Sequence, residues 1–418
     1  MTIYIHTMYY LPEYGSAPIL MNELASYLSA RGHDVEVVTT IPRPSHHKPY
    51  KGRLVQREKA DGFSVIRYRT NFTVHHFGRL IAWTVYTFWS LWNLRRVQKN
   101  DVLFLRLPPL QIGFAGWLAR KWKGAGILMS VQDIHPDLSI ESGLLRKKWA
   151  IRLAQKFEKW IYKQADEIAV ISEGFKQNLL NKKVNNDTLH IVPNWVDAGF
   201  MRPYPKDNRV SRRFALEDKF VAMYSGTLTL SSYMTLEKVM EAAKLIESDE
   251  DFRLVIIGEG LKKPALEEKA KQLKLKNVVF LPFQPYEDLP LLLGASDLLL
   301  VPLDEKKTQL SVPSKLYNYM AAGRPVIGFT DDESEVAHII SDAECGLKRE
   351  PDDVEGMAEM FQMLKKEKET RRKMGERARA YVEKYYAKDV VLEKYEDLLM
   401  SLGRTEVTKH ALRNFRNE

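Results

Sequence analysis

Three stretches of this 418-residue chain carry side chains at spacings that can do chemistry. In VPSKLYNYMAAGRPVIGF, Val312 to Phe329, Pro313 and Ser314 stand at the head of a helical run that closes at Gly323, ahead of the β-rich PVIGF. Unpaired amides at a helix start favour a phosphate, and Lys315 adds a positive charge in the first turn. A capped helix with a solvated lysine would read the same way. QDIHPDLSIESG, Gln132 to Gly143, follows a β-rich run and offers Asp133, His135, Asp137 and Glu141. Such groups can take or orient the proton of a hydroxyl, although a capping Asp beside a polar surface His is the plainer alternative. The third stretch, IIGEG, places Gly258, Glu259 and Gly260 in a turn after a β-run. Alone it says no more than that the chain turns there.

These stretches need elements to hold them. Through the first two hundred residues, TIYIH, PILMNELASYLSARGH, DVEVVTT, DVLFLRL, GFAGWLARKWKG and GILMSVQ alternate short β-rich and helical patterns. Strands separated by helices of this length imply parallel βαβ units. The helix that begins near Ala17 ends at Gly32, and His33 to Thr39 is the next strand. From Lys219 the pattern starts again with KFVAMYSGTL, FRLVIIGEG, NVVFLPF and DLLLVPL, each followed or preceded by a helical run. The fold class expected is therefore α/β, with two doubly wound parallel-sheet domains. VPNWVDAGFMRPYPKDNRVS, rich in Pro and Asn and without periodicity, reads as the linker. The expected boundaries are 1–197, 198–385 and 386–418, the last holding a helix that packs back toward the first domain and a loose tail. The charges after Asp352 read as a solvated helical face.

Composition narrows the setting. The chain is 45% hydrophobic and 28% charged, ordinary for two globular domains. Its single cysteine, Cys345, cannot form an internal disulfide, and the opening MTIYIHTMYYLPEYG has no signal-peptide pattern, so a reducing, cytoplasmic setting is expected. A net charge of +9 favours anionic partners. Nucleic acid is not expected among them, because no stacking platform or recognition motif surrounds the basic residues. The uncharged run Leu80 to Leu94 is flanked by Arg79 and by Arg95 and Arg96. It falls short of the about 20 apolar residues of a spanning helix, and reads as a buried helix or as an interfacial surface carrying three tryptophans. Leu145 to Lys163 sets Leu145, Trp149, Leu153, Phe157 and Trp160 beside Lys148, Arg152, Lys156, Lys159 and Lys163. That basic amphipathic helix suits anionic headgroups or a lipid diphosphate, and equally a core-packed helix with a wet basic face. The histidines show no metal-ligand spacing.

The ordered set of PEYGSAP (Pro12 to Pro18), ARGHDVEVVTT, LPPLQIGFAGWLARKWKG, VQDIHPDLSIESG, ADEIAVISEGF, IVPNWVDAGFMRP, IIGEG and YMAAGRPVI (Tyr319 to Ile327) resembles family 4 of the retaining glycosyltransferases. It is most similar to the branch that builds bacterial surface polysaccharides, including colanic-acid-type and O-antigen fucosyl or N-acetylfucosaminyl transferases. The similarity runs over about residues 3 to 400. It implies a GT-B architecture of two Rossmann-like domains facing a cleft, with the acceptor on the N-terminal domain and a UDP- or GDP-linked sugar on the C-terminal one. It also implies retention, a lipid-linked oligosaccharide or polysaccharide-precursor acceptor, and a peripheral place at the inner face of the cytoplasmic membrane; with no metal-ligand pattern among the residues, no metal and no cofactor are expected.

Residue by residue, the resemblance puts Gly15 and Ser16 near the donor phosphates, Gly226 and the Gly258, Glu259 and Gly260 turn along the donor pocket, and Phe283 beside the base. Where the family has two glutamates, this chain has Leu310 and Asn318. Where it has Arg and Lys after the first strand of the second domain, only Lys238 offers a cation. Donor contacts are then rebuilt around Pro313, Ser314, Lys315 and Asn318, and on the acceptor side Asp133 ranks ahead of His135. Two further readings share the architecture: a nucleotide-sugar 2-epimerase, and a non-catalytic subunit of a polysaccharide assembly complex.

Overall fold

A run such as VLFLRL, Val102 to Leu107, is buried at every position, the pattern of a strand covered on both faces of a parallel sheet. Such strands organise the computed structural model, which describes residues 1–13, 15–42, 50, 52–70, 76–141, 143–304 and 312–403. Leu310 and the tail from residue 404 lie outside the described residues. The chain divides into two units, Met1–Pro193 with Val391–Glu418, and Asn194–Val390.

Among the described residues, the first unit runs β1 (Thr2–His6), α1 (Ser16–Ala30), β2 (Asp34–Thr40), β3 (Val55–Ala60), β4 (Phe63–Tyr68), α2 (His76–Asn93), β5 (Val102–Leu107), α3 (Gly113–Lys123), β6 (Gly126–Val131), α4 (Asp137–Glu141), α5 (Lys148–Tyr162), β7 (Glu167–Val170), α6 (Glu173–Asn181) and β8 (Leu189–Ile191). The strand order is β3-β4-β2-β1-β5-β6-β7-β8. Every neighbouring pair is parallel except β3 and β4. VQREKA of β3, with no fully buried residue, forms the polar edge. The uncharged run is α2, and it is two-sided. Ala82, Tyr86, Ser90 and Asn93 are buried, with Tyr86 Oη donating to Val38 O at 2.8 Å, while Leu80, Ile81, Phe88 and Trp92 are exposed. No helix of the described residues is long and apolar enough to cross a membrane.

The second unit runs α7 (Arg209–Arg213), β9 (Phe220–Ser225), α8 (Leu230–Leu245), β10 (Phe252–Ile257), α9 (Lys263–Gln272), β11 (Val278–Leu281), α10 (Leu289–Gly294), β12 (Leu298–Pro302), α11 (Lys315–Ala321), β13 (Val326–Phe329), α12 (Glu335–Ala343), β14 (Gly346–Arg349), α13 (Val354–Lys366) and α14 (Lys368–Tyr385). Its sheet is parallel throughout, in the order β11-β10-β9-β12-β13-β14. Alternate residues feed two cores, as the two-residue period of a strand requires. Val221, Met223, Val255, Ile257, Leu299 and Val301 enter one core; Ala222, Tyr224, Leu254, Ile256, Leu298 and Leu300 enter the other.

The stretch expected to be a linker is built into this second unit. Val196 and Met201 lie in its core, Val196 bridges to Ala387, and Arg379 donates to the carbonyls of Ala198 and Met201. Its Pro and Asn content hid these contacts, which come from α14 and the residues just after it, far along the chain. The last described helix, α15 (Lys388–Leu402), carries the chain back to the first unit. There Tyr395 Oη and Ser130 Oγ are 3.1 Å apart, and Glu396 pairs with Arg31 and His33 at 2.7 and 2.6 Å.

In each sheet the strand order reverses at one place, between β1 and β5 in the first and between β9 and β12 in the second. Connections leave in opposite directions there, which opens a crevice beyond the carboxyl ends of the strands.

Candidate functional site

In the second unit that crevice holds a cavity of about 200 Å³ lined by Tyr224, Thr227, Thr229, Ser232, Val301, Pro302, Leu303, Pro313 and Lys315. Pro313 and Ser314 lead into α11 as the sequence suggests, and Gly323, at φ +65°, ends it. Ser314 makes no side-chain cap bond, so the first amides of α11 are not claimed by it. Lys315 Nζ lies 3.9 Å from the centre of the Tyr224 ring, a cation–π contact. No carboxylate among the described residues pairs with it, and burial pushes the ammonium down to about 7. Tyr319 Oη accepts from Ser225 N at 2.8 Å and donates to Ser225 O at 3.0 Å, fixing the end of β9 under the cavity.

The glycines have a demonstrable packing reason. A Cβ on Gly226 would stand 2.6 Å from Lys315 Nζ, and Cβ atoms on Gly258 and Gly260, both in the left-handed region, would stand 1.9 Å from Gly226 O and 2.2 Å from Leu228 O. The IIGEG turn is thus pressed backbone-to-backbone against the turn after β9, joined by Gly226 N to Ile257 O and Leu228 N to Glu259 O, each 2.9 Å. It shapes the wall that carries Lys315.

Other expected donor residues lie elsewhere. Lys238 is two turns into α8, paired with Glu241 at 3.1 Å, and Glu241 also holds Lys269 at 2.8 Å; helical phase carries Lys238 away from the cavity. Glu259 pairs with Lys263 at 2.7 Å. Phe283 is exposed beyond β11, and Asn318 is part-buried one turn along α11. Gly15 and the exposed Ser16 begin α1 in the first unit. Sequence reasoning missed Asp304, whose two carboxylate oxygens accept from Met234 N and Thr235 N at 2.8 Å and occupy the start of α8. Nothing in the string DLLLVPLD marks it.

In the first unit, Asp133 and His135 sit together after β6. Asp133 is open to solvent, and burial of its surroundings raises its pKa, against the lowering pull of Arg106 and Arg79. Burial, helped by Arg79, lowers His135, which leaves it neutral at pH 7 and able to accept a proton. His135 Nδ1 is 3.0 Å from Ser139 Oγ, and its ring meets Trp83 edge-on at 5.5 Å. Beside them opens a second cavity of about 380 Å³, walled by Leu80, Trp83, Leu144, Leu145 and Phe157, with Arg79, Gln111 and His135 among its polar lining. A buried network steadies the loop: Lys182 Nζ bridges Asp137 at 2.8 Å and Glu158 at 2.6 Å, and Asn178 Nδ2 donates to Asp137 at 3.0 Å. Burial pushes Glu158 up to about 7. Among the described residues, no group of three His, Cys, Asp or Glu side chains converges on a metal position.

A model of the glycosyl transferase 4-like domain matches residues 18–195, and a model of glycosyl transferases group 1 matches residues 207–381. The chain is 28% identical to the putative colanic acid biosynthesis glycosyl transferase WcaI of Escherichia coli K12, over 77% of this chain and 82% of the relative. It is 26% identical to the probable glycosyltransferase WbjE of Pseudomonas aeruginosa, over 64% and 66%. The crystal structure of Anabaena Alr3699/HepE in complex with UDP matches with a TM-score of 0.72 over 96% of this chain and 100% of that one, at 12% identity, a likeness of fold. The two parallel α/β sheets form a GT-B fold, and the chain, a glycosyl transferase 4-like domain followed by a group 1 domain, is a glycosyltransferase related to enzymes of polysaccharide biosynthesis.

Proposed function

We propose that the enzyme moves a sugar, with retention, from a UDP- or GDP-linked donor to a lipid-linked or polysaccharide-precursor acceptor of a cell-surface polysaccharide. The observation that carries this reading is Lys315, an ammonium without a carboxylate partner among the described residues, facing a cavity at the strand-order reversal of the second sheet. A diphosphate there supplies the missing countercharge, and the ammonium then stabilises the negative charge that grows on the leaving phosphate as the anomeric bond breaks. Pro313, Ser314 and Asn318 accompany Lys315 on the donor side. In the first unit, Asp133 takes or orients the acceptor proton, with neutral His135 as the alternative base. The UDP held by HepE and the colanic acid assignment of WcaI support the donor and acceptor classes.

The acceptor reading extends to a peripheral place at the inner face of the cytoplasmic membrane. On α5, Trp149 and Leu153 are 67% and 61% exposed beside exposed Lys148, Arg152, Lys156 and Lys159, a surface that suits an anionic lipid layer.

A thermal-shift comparison of UDP, GDP and their sugar conjugates tests the donor assignment. A rise in Tm with one nucleotide, lost in Lys315→Ala, is expected, since a ligand bound only by the native state stabilises it. No shift at millimolar nucleotide would reject the reading and leave a non-catalytic subunit in its place; free epimer released from donor alone would make the enzyme an epimerase.

A further inference from the structure

Arg106 is buried in β5, between Leu105 and Leu107. Its guanidinium has no hydrogen bond or ion pair among the described residues, and its buried Nε is without a partner. Two other arginines each have partners, although Arg67 Nη1 and Arg324 Nε, like Arg69 Nε and Nη2, are also buried and unpaired. Arg67 bonds Glu58 at 2.9 Å and Leu11 O at 2.6 Å, and Arg324 bonds Tyr204 O at 2.8 Å. Leaving a guanidinium desolvated and unpaired is costly, and burial accordingly pushes its pKa down, opposed by Asp133 and by the Tyr395 and Tyr9 hydroxyls. The surroundings do not neutralise it. Asp133 is within electrostatic reach but beyond ion-pair distance, and Arg79 adds a second cation to the same Asp133.

The position is that of a ligand group. Arg106 stands near the carboxyl end of β5 where it meets β1, the strand-order reversal of the first sheet. A planar fork of donors that the fold leaves empty suits an oxyanion.

We propose that Arg106, with Arg79, holds a phosphate or diphosphate group of the acceptor, and so sets the acceptor hydroxyl against Asp133. The inference rests on the first unit being the acceptor side. The 380 Å³ apolar cavity that Arg79 and His135 share then receives whatever chain the phosphate bears.

The test uses full-length protein carrying Lys315→Ala, so that phosphate capture by the donor cavity does not contribute. Inorganic pyrophosphate is expected to raise its Tm. Adding Arg106→Met should abolish that rise while leaving the unliganded protein melting at or above its parent, because an unpaired buried charge has gone. A pyrophosphate effect that survives Arg106→Met, or none in the parent, overturns the proposal; so does Arg106→Met melting well below its parent with the effect retained. Should the Met variant not fold, Arg106→Lys keeps the charge without the fork. At least tenfold weaker pyrophosphate binding by calorimetry is expected for it, and an unchanged Kd overturns the proposal. Farnesyl diphosphate binding tenfold tighter than pyrophosphate assigns the group to a lipid-borne acceptor, and equal affinity to a free phosphorylated one. Failure of UDP to bind protein with Lys315 intact would count against the donor reading and leave the Arg106 result standing.

Discussion

Raising the pH from 7 to 9 should weaken nucleotide binding much more than any change in the nucleotide can explain. Lys315 has a pKa of about 7 in the free protein because its ammonium is buried without a countercharge. Bound diphosphate supplies that charge and restores the ordinary preference for the protonated form, so binding takes up a proton whenever the free lysine is neutral. The sign follows: affinity is fully present below pH 7 and is lost as pH rises through the free-site value. Half the free protein carries the proton at pH 7 and about one-hundredth at pH 9, so Kd should rise about 50-fold, or about 2.3 kcal/mol. Below the second ionisation of phosphate, near about pH 6, the nucleotide itself titrates, which is why the window begins at 7. Calorimetry with UDP at pH 7, 8 and 9, in buffers of different ionisation enthalpy, reads both affinity and proton uptake; uptake should approach one proton per nucleotide at pH 9. Lys315→Arg, always charged, should flatten the slope. An affinity constant within threefold across the window, with heats independent of buffer, would refute the argument and move the diphosphate away from Lys315.

Three further outcomes follow from the same geometry. Gly258→Ala should cost about 3 kcal/mol or more in urea unfolding, since its Cβ meets the Gly226 carbonyl at 1.9 Å in a left-handed backbone, and should weaken nucleotide binding as the wall under Lys315 shifts. Burial raises Glu158 from 4.5 to about 7, so the folded state binds the extra proton and stability falls as pH rises through that window; Glu158→Gln should therefore gain about 2.5 kcal/mol relative to the parent on going from pH 5 to pH 8. A gain of similar size at both pH values would disprove that cause. Trp149→Glu with Leu153→Glu should reduce sedimentation with anionic vesicles at least tenfold, each exposed side chain being able to bury about 1.5–3 kcal/mol of apolar surface; unchanged sedimentation would remove α5 from the membrane reading.

The sequence revealed what is local. The start and stop of α11 are chemical signals within a few residues, Pro313 to Gly323, and both stand where they were read. Long runs of buried β-formers with helices between them likewise gave away two parallel sheets. What stayed hidden depends on partners distant in sequence. Tyr224 under Lys315, Asp304 at the head of α8, the bridge of Val196 to Ala387 and the bond from Arg379 to Met201 are tertiary choices without a local mark. Lys238 misled because a cation close to the right strand in sequence is turned elsewhere by helical phase. Arg106 was passed over because one arginine in DVLFLRL looks like an outward-facing strand residue, and only the covered sheet shows that there is no outside for it to face.

The return of α15 to the first unit has a consequence for how the protein is made. Tyr395 reaches Ser130, and Leu402 lies against Gly126, so the packing of the first sheet includes residues synthesised after the whole second unit. On the ribosome the leading two hundred residues must wait with part of that sheet uncovered while the second unit emerges and folds, a reversal of the usual N-terminal-first order. Nascent chains stopped before residue 391 should therefore engage chaperones through β5 and β6, and should be released when α15 arrives.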